Sequence, residues 1–312
     1  MKTFIINIFC SVILIQVQHV FAQQQPTYTH YMYTVQSYNP AYVGSRQAIS
    51  AVGLYRTQWV GYEGAPVTQT ICISAPISKQ RLGIGLSMDN DKIGPMKSTS
   101  VSADLAYHLP VSDNGKLSFG LKAGVDMISS NLSNIKLDDP NDISFSTNIN
   151  SKTAPKIGFG LYYYTPKFYA GFSSPQLITK SITATQNGTS IDVYTPKKHF
   201  YATMGFVSTI NEYLDLKPTM LLKVAAGAPI QLDMSATFIY KKMLNAGIMY
   251  RSGESVGALL GFTFQNTLML GYSYDWTILN KTNTYHYGSH EVVVRFDLAL
   301  KKNNKGDFIG YF

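Results

Sequence analysis

Residues 116–127 alternate without a fault. Leu117, Phe119, Leu121, Ala123, Val125 and Met127 fall on one face of an extended chain, and Lys116, Ser118, Gly120, Lys122, Gly124 and Asp126 on the other. The same period of two returns in 81–89, 231–240, 267–276 and 291–298, and in each the charged residues keep to one face. Fourteen strands are predicted, near 47–57, 66–77, 81–89, 98–109, 116–128, 154–164, 167–174, 199–209, 213–223, 230–240, 243–251, 255–264, 267–277 and 290–300. Connections after even-numbered strands are tiny, as in Ser112-Asp113-Asn114-Gly115, Lys241-Lys242 and Gln265-Asn266, whereas the long segments 129–153, 175–198 and 278–289 follow odd-numbered strands.

A secreted sandwich also alternates, so the pattern alone leaves two all-β readings open. Composition separates them. Charged residues make up 14% of the chain, where a soluble domain usually carries about 25%. The 22 Tyr, 16 Phe and 24 Gly suit strands with aromatic belts and exclude a helix bundle. After residue 22 no segment approaches the roughly 18 apolar residues a membrane helix needs. The fold expected is a transmembrane antiparallel β-barrel of about 14 strands. Short turns and both termini would face the periplasm and the long loops the outside, embedded in outer-membrane lipid.

Residues 1–22 read as a signal peptide: Lys2, an apolar run from Phe4 to Val17, then Val20-Phe21-Ala22 as the cleavage site. An N-terminal periplasmic or luminal segment, 23–46, should precede the barrel, 47–300, with a polar tail at 301–312. Cys10 leaves with the signal, so Cys72 has no disulfide partner. Without Lys2 the chain keeps 25 basic and 18 acidic residues, spread without a basic run, and export makes nucleic acid an improbable partner.

Parity places Lys122, Asp126, Asp233, Glu291, Arg295 and Asp297 toward the lumen, where they either line a conducting pore or pair across it. Trp59 and Trp276, at strand ends, are candidates for an interfacial aromatic belt. Tyr31, Tyr33, Tyr38, Asn39, Pro40 and Tyr42 precede the first strand, and form either a plug or a partner contact. Signs of an enzyme are thin. His290-Glu291 with His286 lacks further ligands at metal spacing, Gly83-Ile84-Gly85 and Gly158-Phe159-Gly160 lack a third glycine and a helix, and His108 sits on the luminal parity near Ser100 and Ser102. No catalysis, metal or cofactor is expected.

The chain resembles the PorP/SprF family, outer-membrane proteins tied to type IX secretion and gliding in Bacteroidetes-type bacteria. The resemblance is carried by Tyr31-Met32-Tyr33 and Tyr38-Asn39-Pro40-Ala41-Tyr42-Val43-Gly44-Ser45, then by Arg56-Thr57-Gln58-Trp59-Val60-Gly61, Gly64-Ala65-Pro66 and Asp91-Lys92-Ile93-Gly94-Pro95. It continues through Leu117-Ser118-Phe119-Gly120, Gly160-Leu161-Tyr162-Tyr163-Tyr164, Phe168-Tyr169-Ala170-Gly171, Gly271-Tyr272-Ser273-Tyr274-Asp275 and Gly288-Ser289-His290-Glu291, spanning about 24–298. The tail 301–312 departs from that pattern, since it extends past the last strand.

The resemblance implies a non-enzymatic accessory that helps a particular large secreted protein, such as a gliding or attachment adhesin, to be exported or held at the surface. Its implied partners are the secretion machinery, through a periplasmic ring or translocon component, and the C-terminal signal domain of a cargo. The contrasting reading is a general diffusion porin or hydrophobic-solute transporter, which needs an open or substrate-lined lumen.

Overall fold

The computed structural model describes residues 25–77, 81–131, 149–178, 182–186, 189–194, 196–278 and 284–300. The predicted signal peptide and the tail 301–312 lie outside them. The strands are β1 Ala48–Thr57, β2 Val67–Ile77, β3 Leu82–Ile93, β4 Met96–Pro110, β5 Lys116–Ser130, β6 Ile149–Tyr164, β7 Phe168–Ser174, β8 Ile182–Gln186, β9 Thr189–Tyr194, β10 His199–Phe206 and β11 Ser208–Asn211. The remainder are β12 Leu214–Ala225, β13 Gln231–Tyr240, β14 Leu244–Arg251, β15 Ser255–Phe264, β16 Leu268–Thr277 and β17 Ser289–Ala299.

Each strand pairs antiparallel with its neighbour, β1 with β17 from Ala48↔Ala299 to Thr57↔His290, and β10 with both β7 and β12, so the sheet closes on itself. β10 and β11 are one stave interrupted at Val207, both pairing with β12 in one register as far as Thr209, after which a bulge shifts it before Asn211. The result is a closed barrel of 14 staves. Closure leaves no ladder edge in lipid, the condition that lets a sheet cross a bilayer.

The alternation seen in the sequence sets the two faces. Leu86, Leu121, Leu260 and Ile248 on the outer face are 60–66% exposed, a surface that only an apolar surrounding suits. Their neighbours Ser87, Lys122 and Leu259 turn inward and are buried. Exposed aromatic side chains ring the short-turn side, among them Tyr107, Phe119, Phe206, Tyr213, Tyr240 and Phe264.

At that rim the three-residue connections 241–243 and 265–267 hold positive φ at their first two positions, Lys241-Lys242 and Gln265-Asn266, between 48° and 56°. This mirror-image turn matches the twist of the strands it joins. At the opposite rim β3 and β4 run further than their alternation suggested, to a tight turn at Gly94-Pro95, and the segment 175–198 contains the hairpin β8–β9 rather than loop alone. The stretch added to β3, Asn90-Asp91-Lys92, is polar and carries no alternation, and β8 and β9 are only five and six residues long.

Candidate functional site

The chain before β1 runs inside the barrel. Gln25 lies at the long-loop end, where Lys223 Nζ donates to its carbonyl (3.4 Å) and its amide reaches Gln176 (3.4 Å). Arg46 lies at the short-turn end on Asp297. The described N-terminal segment therefore begins at the rim opposite to the one expected for both termini, and descends through the lumen to join β1. Tyr31, Met32, Val35, Tyr38, Ala41 and Tyr42 form one buried cluster with inward residues of the wall such as Val52, Tyr162, Tyr169, Leu221 and Met269.

Local chemistry shapes this segment. A single helical turn, Val35–Tyr38, stops at Asn39, whose side-chain oxygen accepts from Ala41 N (3.0 Å) and caps the 3-10 turn Pro40–Tyr42. Pro40 stands at the first helical position, where its missing N–H costs nothing. Asn39 Nδ2 donates across to Leu161 O (3.0 Å). Gly44 takes φ +80° to turn the chain toward β1.

The wall is hollowed to receive it. Cβ atoms on Gly83, Gly120 and Gly160 would collide with Val43 O, Ala41 N and Asn39 Oδ1, and on Gly85 would stand 2.6 Å from the Gln36 amide. Glycine here serves close approach rather than strand curvature alone.

Charges fix the upper half. Glu291, fully buried, accepts from Thr29 N (2.9 Å), His30 N (2.7 Å) and the His30 ring (2.8 Å). Arg56 bridges Asp275 (2.7 Å) and Glu291 (3.3 Å) and donates to Thr29 Oγ1 (2.6 Å). Arg251 joins Asp233 (3.0 Å) to the Tyr28 carbonyl (2.8 Å). In the middle, Lys122 pairs with Asp104 (2.9 Å), beside the Gln36 amide that also donates to Ile73 O and Leu86 O. Tyr31 Oη meets Thr219 Oγ1 (2.9 Å).

Every luminal charge read from parity thus lies inside the barrel with a partner: Lys122 on Asp104, Asp126 on Lys156 (3.6 Å) and the Gln176 amide (3.1 Å), Asp233 on Arg251, Glu291 on Arg56, and Arg295 on Asp297 (3.0 Å). All six candidate N-terminal residues sit within the plug, with Tyr33 half-buried and the others buried. Of the two tryptophans, Trp276 stands outward and is 60% exposed. Trp59 instead turns over the rim at φ 47°, its N–H on Ser289 Oγ and its ring 6.2 Å from that of His286.

His290 points outward to Tyr272 Oη (2.7 Å) while Glu291 points inward, so adjacent positions separate what a metal site would need together. Sequence reasoning missed Arg56, Arg251, His30 and Lys217. The first, second and fourth carry the luminal parity of their strands, and Arg56 also opens one of the family blocks.

Residues 20–296 match the family of type IX secretion system membrane proteins PorP/SprF. The chain belongs to the PorP/SprF family. Membership makes it an outer-membrane barrel of the type IX secretion system, associated with that machinery and with the membrane. No curated protein sequence matches the chain. Among solved structures it is similar to the Ralstonia pickettii toluene transporter TbuX, at 11% identity and a TM-score of 0.50 over 83% of this chain and 92% of that one. It is also similar to the Acinetobacter baumannii outer membrane protein Omp33, at 9% identity and a TM-score of 0.45 over 81% and 98%. At 11% identity the likeness to TbuX is one of fold alone.

Proposed function

We propose that this PorP/SprF protein is a non-enzymatic accessory of type IX secretion that supports export or surface retention of one particular secreted protein, such as a gliding or attachment adhesin. The short turns would face the periplasm, where the secretion machinery and the C-terminal signal domain of a cargo are within reach. The observation that carries this reading is the segment 25–46, seated on wall glycines and tied by buried charges, which occupies the lumen that a diffusion channel or solute transporter would keep open. With the lumen filled, recognition falls to the rims.

Deleting the gene tests it. Small-solute uptake should be unchanged while one or a few large proteins disappear from the cell surface. Impaired uptake with an unchanged surface proteome would refute the accessory role in favour of a transporter.

A further inference from the structure

The lumen is electrically polarised along its axis. Toward the long loops carboxylates dominate, and Asp89 and Asp91 are held by the hydroxyls of Thr70 and Thr68 with no cation in ion-pairing range among the described residues. Toward the short turns the sign reverses. Arg46 from the end of the plug, Lys217 from β12 and Arg295 from β17 converge there. Lys217 Nζ and Arg295 Cζ stand 5.1 and 5.0 Å from the centre of the Tyr33 ring, which is half-buried at the mouth. Asp297 takes both arginines, at 2.9 and 3.0 Å, and Asp215 shares the inward face of Lys217 two residues nearer the rim. Around this largely buried cluster the rim adds exposed Arg81, Lys167, Lys241 and Lys242 and half-buried Lys116, against exposed Asp113 and Glu212. Eight cations thus face four carboxylates at this end, among the described residues.

We propose that the short-turn mouth is a docking site for an acidic segment of a partner protein, whose carboxylates meet the exposed Arg81, Lys167 and Lys242 of the rim, above the largely buried cluster of Arg46, Lys217 and Arg295. The excess of cations gives this mouth a positive field that draws an incoming carboxylate, and the exposed rim cations can receive it with charge-assisted hydrogen bonds. Arginine beside an aromatic ring is the composition that recurs where interfaces bind tightly. An anionic lipid headgroup is the weaker fit, because Arg46, Lys217 and Arg295 face the barrel interior and lipid meets only the outer face. The cation suited to lipid is Lys241, whose ammonium lies over the outward rings of Tyr213 and Tyr240, 5.4 Å from each. The proposal rests on the accessory reading for the side of the membrane that this mouth faces, and names the chemistry of what it would receive.

Fluorescence anisotropy on the purified full-length protein in detergent, with a labelled Glu-Gly repeat peptide as probe, tests the site. The peptide should bind saturably, a Lys-Gly peptide should not, and binding should weaken as salt rises. Lys217→Met with Arg295→Gln, and separately the exposed pair Arg81→Glu with Lys242→Glu, should each weaken binding by roughly tenfold or more. The rim pair keeps the test decisive if the interior pair does not fold. Absence of saturable binding, equal binding of the basic peptide, or indifference to the rim reversal would overturn the proposal. So would full competition by phosphatidylglycerol vesicles, which would assign the cations to lipid. The outcome is independent of the gene deletion: a missing surface protein with no peptide binding removes only this site, and peptide binding with an intact surface proteome removes only the accessory role.

Discussion

Asn39 occupies the space that a side chain at residue 160 would fill. Its Oδ1 lies where a Gly160 Cβ would be, while its Nδ2 donates to Leu161 O next along the same strand. A polar turn residue and a strand glycine 121 positions apart are therefore two halves of one joint.

Gly160→Leu should break that joint without touching the lipid face. The barrel should still form, shown by heat-modifiable migration, but segment 25–46 should become susceptible to protease and planar-bilayer conductance should rise. Unchanged protection and conductance would mean that the plug is held by its charges alone.

Arg56→Met should leave Asp275 and Glu291 buried without their shared cation. Removing one partner of such a cluster costs about 3–5 kcal/mol. The thermal midpoint in detergent should fall accordingly, and Glu291→Gln in the same chain should recover part of the loss by removing one uncompensated charge. A drop no smaller in the double variant would contradict the bridging role.

The two faces of β5 give a third test. Leu121→Arg sets a charge against lipid at about 2–4 kcal/mol near the midplane, and should reduce barrel abundance. Lys122→Met should be harmful too, for a different reason: Asp104 loses its ion pair. Adding Asp104→Asn should rescue Lys122→Met and do nothing for Leu121→Arg. Rescue of both, or neither, would dismiss the assigned facing.

Labelling fixes the orientation. A cysteine replacing exposed Glu63 should react with a membrane-impermeant maleimide on intact cells, and one replacing exposed Asp113 should react only after lysis. The reverse pattern would turn the basic mouth outward.

The staves were legible because burial in this barrel has a period of two, and Leu121 beside Lys122 shows it at its plainest. The inward charges were legible for the same reason. Their partners were not: Arg56 meets Glu291 and Lys122 meets Asp104 through registers fixed by the closed ladder, and no single strand carries that information. The tyrosines of 28–42 could be read as a cluster, but whether they cover a partner or fill a lumen depends on Gly83, Gly120 and Gly160, which look like ordinary strand glycines until the plug lies on them. Trp59 escaped because its φ of 47° carries it off the strand it follows.

The descent of residues 25–46 through the lumen sets an order of assembly. His30 rests on Glu291, 261 residues away, and Ala48 pairs with Ala299 along the seam that shuts the cylinder. One of the charges that hold the start of the described chain thus comes from its last stave, so that lock and the β1–β17 seam are completed together. Closing the barrel and setting that lock are then a single late event of high contact order. A chain truncated before β17 would lack both the final stave and one anchor of its own beginning.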